Sequence, residues 1–415
     1  MFKTKLHSPL FIAEIGGNHE GDFQYAKRLT ALAIESGADA IKFQIYTGDT
    51  LVSSHESPDR NLHFKKFELS QKQHIELAEM VHNAGRLYVA SVWDVNALDW
   101  LNPYISFYKI GSGDLTAYPV LKATARKKKP IVISTGLATE KEVIETVNYL
   151  QKLDSLYTKS DYIAVLQCTS MYPIRVEDAH LNVIQQLRSK LNLVLGYSDH
   201  TEGTLALEIA AAMGAEILEF HFTDTREGKS FRDHKVSLTS IEVQNLRKKV
   251  DEIKKLQGNP EKKPVPIEIE NGHEISFRRA VYPSRDILKD EILEFHFTDT
   301  REGKSFRDHK VSLTSIEVQN LRKKIDGIKR LQGNAEKKPL PIEIENGHEY
   351  SFRRAVYPSR DILKGEILDE TNLTVLRPCA GIDAREYDNL IGSRLLFDIK
   401  KHQKLDWSLI EKINK

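Results

Sequence analysis

The sequence predicts an α/β protein, a (β/α)8 TIM barrel followed by a small β-rich domain. Three observations carry this. Short apolar, β-branched runs alternate with amphipathic segments over the first 223 residues, as parallel strands joined by crossover helices do. Eight strand–helix units can be laid out, the number that closes a barrel of about 250 residues. No GxGxxG follows the first strand, which removes the main mark of a doubly wound dinucleotide sheet.

The strands are expected at Leu10–Ile15, Ala40–Ile45, Leu87–Val92, Phe107–Ile110, Ile131–Ser134, Tyr162–Gln167, Leu193–Gly196 and Ile217–Phe222. Between them lie helical patterns such as YAKRLTALAIESGA, SQKQHIELAEMVHNAG, EKEVIETVNYLQKL and TLALEIAAAMGA. Several end in Gly where a helix should stop, because Gly adopts the left-handed cap at no steric cost. SLTSIEVQNLRKKVDEIKKLQG supplies the eighth helix. A Pro- and charge-rich linker then leads to a C-terminal domain ending near Lys415.

The chain has 415 residues, 40% hydrophobic and 29% charged, which fits a folded globular protein. Its net charge of +1 provides no global field to attract nucleic acid or a membrane surface. Cys168 and Cys379 are the two cysteines, too few for a disulfide framework, so a cytoplasmic location is expected. The N-terminus lacks a secretory h-region, and no run reaches the eighteen or so apolar residues of a membrane span.

One internal repeat stands out. Glu216–Asp290 recurs as Glu291–Gly365, with seven differences in 75 positions. Solenoid repeats diverge much further and recur at least three times, so the pattern reads as a tandem duplication within a parent of 340 residues. The expected domains are therefore 1–258 for the barrel, 259–349 for the duplicated segment and 350–415 for the C-terminal domain.

Chemistry in such a barrel belongs at the C-terminal strand ends. There stand AEIGGNHEG, IKFQ, YKIGSGD, ISTG, QCTSMYP, GYSDHT and EFHFT. Alternation along strand 8 turns Leu218, Phe220 and Phe222 towards the helices, and Glu219 and His221 towards the barrel axis. His200 lies just past the neighbouring strand, and adjacent strands run about 4.8 Å apart. The two imidazoles either share a divalent ion, with open positions suited to Mn²⁺ or Mg²⁺, or form a hydrogen-bonded core pair. Lys42 and Lys109, with Ser112, Ser134, Ser198 and the turns GSG and STG, suit a phosphate and a carboxylate. Singly, each lysine also fits an aldolase Schiff base or an ion pair with Glu14 or Asp114.

Together, IAEIGGNHEG, IKFQ, YKIGSGD, ISTGL, CTSMYP, GYSDHT, HFTDT…DH and the distal LRPCAGID resemble the N-acetylneuraminate (sialic acid) synthase family. That family includes the legionaminic and pseudaminic acid synthases. The resemblance implies a barrel followed by an antifreeze-like (SAF) domain. It implies condensation of phosphoenolpyruvate with the open-chain aldehyde of an N-acylmannosamine-type sugar, giving a nonulosonic acid and phosphate. Lys42, Lys109, Ser112, Ser134 and Ser198 would bind phosphoenolpyruvate, and His200 and His221 the metal. Glu14 would orient water or sugar and move a proton, while Tyr172 and Asp233 would face the sugar. Arg377 would reach the barrel of a partner subunit, which implies a homodimer with exchanged SAF domains. Three departures bear on the sugar. SVWD replaces a common Thr-Pro after strand 3, Phe220 replaces a basic residue, and SFRDH replaces a proline- and glycine-rich turn.

Other candidates have plainer readings. Cys168 reads as a packed thiol with no evident His partner, and Arg126–Lys129 as a solvated helix end. Trp93 and Trp100 read as packing, with Trp93 near the mouth, and His19 as packing or a substrate contact. The alternative functions are a Schiff-base aldolase and a sugar-binding protein whose site the extra residues impair.

Strand 8 is available twice. Copy one follows the seventh helix after a short turn, whereas copy two requires 75 residues to loop out, at about 1–3 kcal/mol of closure entropy. Copy one, with His221 and Asp233, is therefore expected in the barrel. His296 and Asp308 are the alternative pair, and the displaced 291–349 is expected to weaken SAF docking.

Overall fold

The structure, a computed structural model, describes residues 8–258, 261, 263, 265–271 and 293–412. Eight parallel strands close into a barrel: β1 Leu10–Glu14, β2 Ala40–Ile45, β3 Leu87–Val92, β4 Tyr108–Ile110, β5 Ile131–Ser134, β6 Ile163–Gln167, β7 Val194–Asp199 and β8 Ile217–His221. Copy one of the repeat thus supplies the last strand. It pairs with β7 and with β1, completing the ring.

The crossover helices start where side chains can cap them. Asp22 accepts from the backbone N–H of Gln24 and Tyr25 ahead of the helix Phe23–Glu35. Ser70 and Thr139 form capping boxes with Gln73 and Glu142, satisfying N–H groups that the first turn leaves free. The barrel floor is filled by Leu10, Ile12, Val89, Phe107, Val132, Leu166, Val194 and Ile217. Above it, register sets the polar layer. Glu14 lies level with Lys42 on one side and His221 on the other, and Ser198 level with Glu219.

Two compact units divide the chain, residues 1–253 with 331–415, and residues 254–330. The boundaries thus fall elsewhere than at 259 and 349. Residues 331–349 go with the barrel because Lys337, Glu343 and His348 are buried against its loops. In the C-terminal domain, the pair β9 Ala355–Pro358 and β10 Leu373–Leu376 is antiparallel. Its core of Val356, Ile362, Leu368 and Leu390 includes Ala117 and Val120 of the barrel. The C-terminal domain is thus packed directly against the barrel.

The second unit repeats local contacts of copy one without its strand. Thr298 Oγ1 lies 2.8 Å from His309 Nδ1, as Thr223 Oγ1 lies 2.8 Å from His234 Nδ1. Leu293, Phe295 and Phe297, however, are exposed and outside any strand. The tail of copy one, 272–290, lies outside the described residues.

Candidate active site

A cavity of about 750 Å³ opens at the C-terminal strand ends, lined by Glu14, Lys42, Lys109, Ser112, Ser134, Tyr172, Ser198, His200, His221, Asp233 and Arg377. Every first-choice site residue read from the sequence is therefore in one place. His296 and Asp308 are not part of it. They lie in the second unit, solvent-exposed, with His296 Nδ1 3.7 Å from Asp308 Oδ2.

The deepest layer is a buried charge network. Lys42 Nζ lies 2.8 Å from Glu14 Oε2 and 3.1 Å from Glu219 Oε1. Lys109 Nζ meets the same Glu219 oxygen at 3.0 Å and donates to Ser134 Oγ at 2.7 Å. Ser198 Oγ donates to that oxygen too, at 3.0 Å. Burial alone would raise the Glu14 pKa, but Lys42, His221 and Lys109 hold its carboxyl well below the usual range. Burial and the like charge of Lys42 pull Lys109 down against the attraction of Glu219. Glu219 is the central member that sequence reading left out of the site, although strand alternation had already turned it inward.

The STG and GSG turns meet closely. Ser112 Oγ accepts from the Gly136 N–H at 3.0 Å. A Cβ on Gly136 would run into Ser170, and one on Gly113 into the Phe352 backbone, so both positions need glycine.

The histidines stand two residues beyond Ser198 of β7 and Glu219 of β8, with ring centres 5.4 Å apart. Tyr172 covers them at 4.0 Å from His200 and 5.6 Å from His221. His200 donates its Nδ1–H to the Thr169 carbonyl at 2.6 Å, leaving the Nε2 lone pair free. Burial lowers the pKa of both imidazoles, favouring their neutral forms. Among the described residues, His221 Nδ1 has no hydrogen-bond partner, while its Nε2 lies 3.6 Å from Glu14. Two neutral imidazoles beside an ionised carboxylate make a donor set that fits a divalent cation. Among the described residues, no group of three His, Cys, Asp or Glu is already gathered as a metal cage.

The outer wall comes largely from the C-terminal domain. Arg377 enters the mouth of its own barrel, where sequence reading expected it in a partner's. Its guanidinium donates to Asp114 Oδ2 at 3.2 Å and stacks 4.7 Å over Trp93. Arg354 takes the other Asp114 oxygen at 2.7 Å. Both arginines are buried, so the shared carboxylate fixes the domain beside this barrel. Trp93 and Arg232, which stand at two of the departures from the family pattern, both line the cavity, and Arg232 stacks 4.7 Å over Tyr172.

Sequence reading also missed the linker. Glu343 Oε1 accepts from the N–H of Leu137 at 2.9 Å and of Ser170 at 2.7 Å, tying the loops after β5 and β6 together. Lys337 donates to the Cys168 carbonyl at 3.2 Å, and His348 to the Ser170 carbonyl. Copy one carries the same residues, Lys262, Glu268 and His273, in a nearly identical stretch, so the primary sequence did not mark out the pair that docks.

The remaining candidates resolve simply. Cys168 Sγ does approach His200 Nδ1, at 3.8 Å, but that nitrogen is committed to Thr169, and burial pushes the thiol up to about 11. His19 accepts from the Gly21 N–H at 3.0 Å and is not among the cavity-lining residues, and neither is Trp100. Lys129 caps the carbonyls of Asn102 and Ile105, and Lys127 pairs with Asp99.

Comparison with known proteins agrees with this geometry. The model of the NeuB family matches residues 29–262, and that of the SAF domain residues 353–411. The N,N'-diacetyllegionaminic acid synthase of Legionella pneumophila is 30% identical over 96% of this chain and 94% of its own. The pseudaminic acid synthase of Campylobacter jejuni is 28% identical over 94% and 93%. Among solved structures, a spore coat polysaccharide biosynthesis protein from Bacillus subtilis superposes with a TM-score of 0.68 at 25% identity, covering 98% of this chain and 96% of that one. The N-acetylneuraminic acid synthetase of Leptospira borgpetersenii gives 0.59 at 30% identity, covering 65% and 92%. With a closed barrel, a polar mouth and a match over more than half its length, the chain belongs to the NeuB family and carries a C-terminal SAF domain.

Proposed function

We propose that this chain condenses phosphoenolpyruvate with the open-chain aldehyde of an N-acylmannosamine-type sugar, forming a nonulosonic acid and releasing phosphate. The observation that carries the reading is the Lys42–Glu219–Lys109 network with Ser134 and Ser198, in the same cavity as the paired histidines. Ammonium groups and hydroxyls receive the phosphate and carboxylate of phosphoenolpyruvate. The new bond joins its methylene carbon to the aldehyde carbon. Water adds to the phosphate-bearing carbon, and phosphate departs to leave the 2-keto acid.

Glu14, kept ionised by its cationic neighbours, accepts a proton from that water or orients the sugar. Tyr172 and Asp233 face the sugar, and Arg377 reaches its N-acyl group. His200, His221 and Glu14 would hold Mn²⁺ or Mg²⁺, which supplies Lewis-acid polarisation of the aldehyde oxygen. The repeat is read as a tandem duplication. Assembly as a homodimer and a cytoplasmic location complete the proposal. Among the described residues, no helix is long and apolar enough to cross a membrane.

The test is phosphate release assayed with both substrates, with product mass determined. Release is expected only when phosphoenolpyruvate and the acylated sugar are both present. It should be abolished by EDTA and restored by Mn²⁺ or Mg²⁺. Full turnover in metal-free protein would refute the metal assignment. Release with phosphoenolpyruvate alone would refute the condensation.

One observation favours a Schiff-base aldolase instead, the lowered pKa of Lys109. Borohydride trapping of a keto-acid adduct on that lysine would establish it. Its hydrogen bonds to Glu219 and Ser134 favour a binding role.

A further inference from the structure

Copy two keeps the local form of copy one without its burial. The corner between strand and helix is retained, since Phe297 bridges Leu313 as Phe222 bridges Leu238. The helix Ser315–Gln332 likewise matches Ser240–Gln257. In copy one Val243, Leu246 and Val250 are fully buried, whereas their counterparts Val318, Leu321 and Ile325 are half-buried. Leu293, Phe295, Phe297 and Phe306 are exposed. Apolar side chains left uncovered together within one compact unit mark an interaction site.

The positive charges are released in the same way. In copy one Arg247 pairs with Asp39 at 2.6 Å and lies 3.7 Å over Phe11, and Lys249 pairs with Glu208 at 2.7 Å. In copy two Arg322 turns to Asp326 of its own helix at 3.4 Å, and Lys323 and Lys324 are exposed. Gly327 also replaces Glu252, so this helix carries Arg322, Lys323, Lys324, Lys329 and Arg330 against Glu317 and Asp326. The chain's net charge of +1 conceals this local excess. Val318, Leu321, Ile325 and Ile328 recur at helical spacing and share one stripe. A basic helix with such a stripe has the pattern of a membrane-surface segment.

A second copy of the chain fits this face less well. The barrel position that matches it is filled by copy one, which pairs on both edges, and two such helices set against each other would bring like charges together. A bilayer with anionic headgroups supplies apolar depth and negative charge at once and requires no shaped groove. We propose that residues 293–330 bind the surface of an anionic lipid bilayer. Phe295 and Phe297 enter the boundary between headgroups and acyl chains, and Arg322, Lys323, Lys324 and Lys329 meet lipid phosphates. This surface is separate from the condensation, because the residues lining the active-site cavity belong to the other compact unit.

The experiment sediments the full chain with vesicles of phosphatidylcholine alone and of phosphatidylcholine with about 30% phosphatidylglycerol. Binding to the anionic vesicles should be at least about tenfold tighter, and should weaken by about as much when salt is raised to roughly 0.5 M. Lys323→Glu combined with Lys324→Glu should abolish the anionic preference. The same change in copy one, Lys248→Glu combined with Lys249→Glu, should leave it intact. Phe295→Ser combined with Phe297→Ser should weaken binding about tenfold. All these side chains are exposed, so each variant should melt with the wild type. No binding, or equal binding to both vesicles, overturns the inference, as does equal loss in the two lysine pairs. Self-association that disappears in the Phe295→Ser, Phe297→Ser variant, without vesicle binding, would assign the face to a second copy instead.

Discussion

The same five residues, Leu-Glu-Phe-His-Phe, occupy 218–222 and 293–297 with opposite fates. In the barrel, Leu218, Phe220 and Phe222 are 0–2% exposed, and the strand pairs on both edges. In the second unit, Leu293, Phe295 and Phe297 are 41–66% exposed. The linkers show the reverse. Glu268 is half-buried, whereas its counterpart Glu343 is 1% exposed and holds two loops of the active-site mouth. Strand formation here is decided by neighbours rather than by propensity, while turns and caps, which need only local partners, form in both copies. The working site takes its strand from copy one and its linker from copy two.

The largest effect should come from the strand. Phe220→Ala is expected to cost about 3–5 kcal/mol, because a buried ring that packs edge-on against Phe11 is lost. Phe295→Ala should stay within about 0.5 kcal/mol. Denaturant titration of the two variants checks this. Equal losses would mean that both strands are buried.

The linker pair should show the opposite asymmetry on a smaller scale. Glu343→Ala leaves the Leu137 and Ser170 N–H groups buried and unpaired, at about 1–3 kcal/mol. It should also raise KM for phosphoenolpyruvate severalfold, since those loops follow Ser134 and precede Tyr172. Glu268→Ala should change neither quantity. An effect at Glu268 would show that copy one's linker also docks.

Acid should loosen the hold of the C-terminal arginines on the barrel. Burial opposes ionisation of Asp114, yet Arg354 and Arg377 lower its pKa overall. A carboxyl depressed in the folded state contributes its stability in full above its unfolded pKa of about 4 and loses it as pH falls further. The melting temperature should therefore drop more steeply below about pH 4 in the wild type than in Asp114→Asn. Parallel curves would remove Asp114 from this role.

Much of this was legible from the residues. The eight strands, the inward turn of Glu219 and His221, and the gathering of Lys42, Lys109 and the serines all follow from alternation and from polar residues at strand ends. Copy one's place in strand 8 followed from loop entropy. What could not be read was which linker docks, because the sequences around Glu268 and Glu343 differ only by Pro260/Ala335, Val265/Leu340 and Ile275/Tyr350, none of which marks a docking contact. Nor could Arg377's seat in its own barrel be read, since it depends on a 263-residue separation from Asp114.

The division of labour between copies is tested most directly by His221→Ala and His296→Ala, each assayed for Mn²⁺ binding and for phosphate release. His221→Ala should lose Mn²⁺ binding and, on the order of 100-fold or more, turnover, while His296→Ala should match the wild type in both. Loss confined to His296→Ala would place copy two in the barrel, and partial loss in both would mean that the copies exchange. Either result contradicts the account.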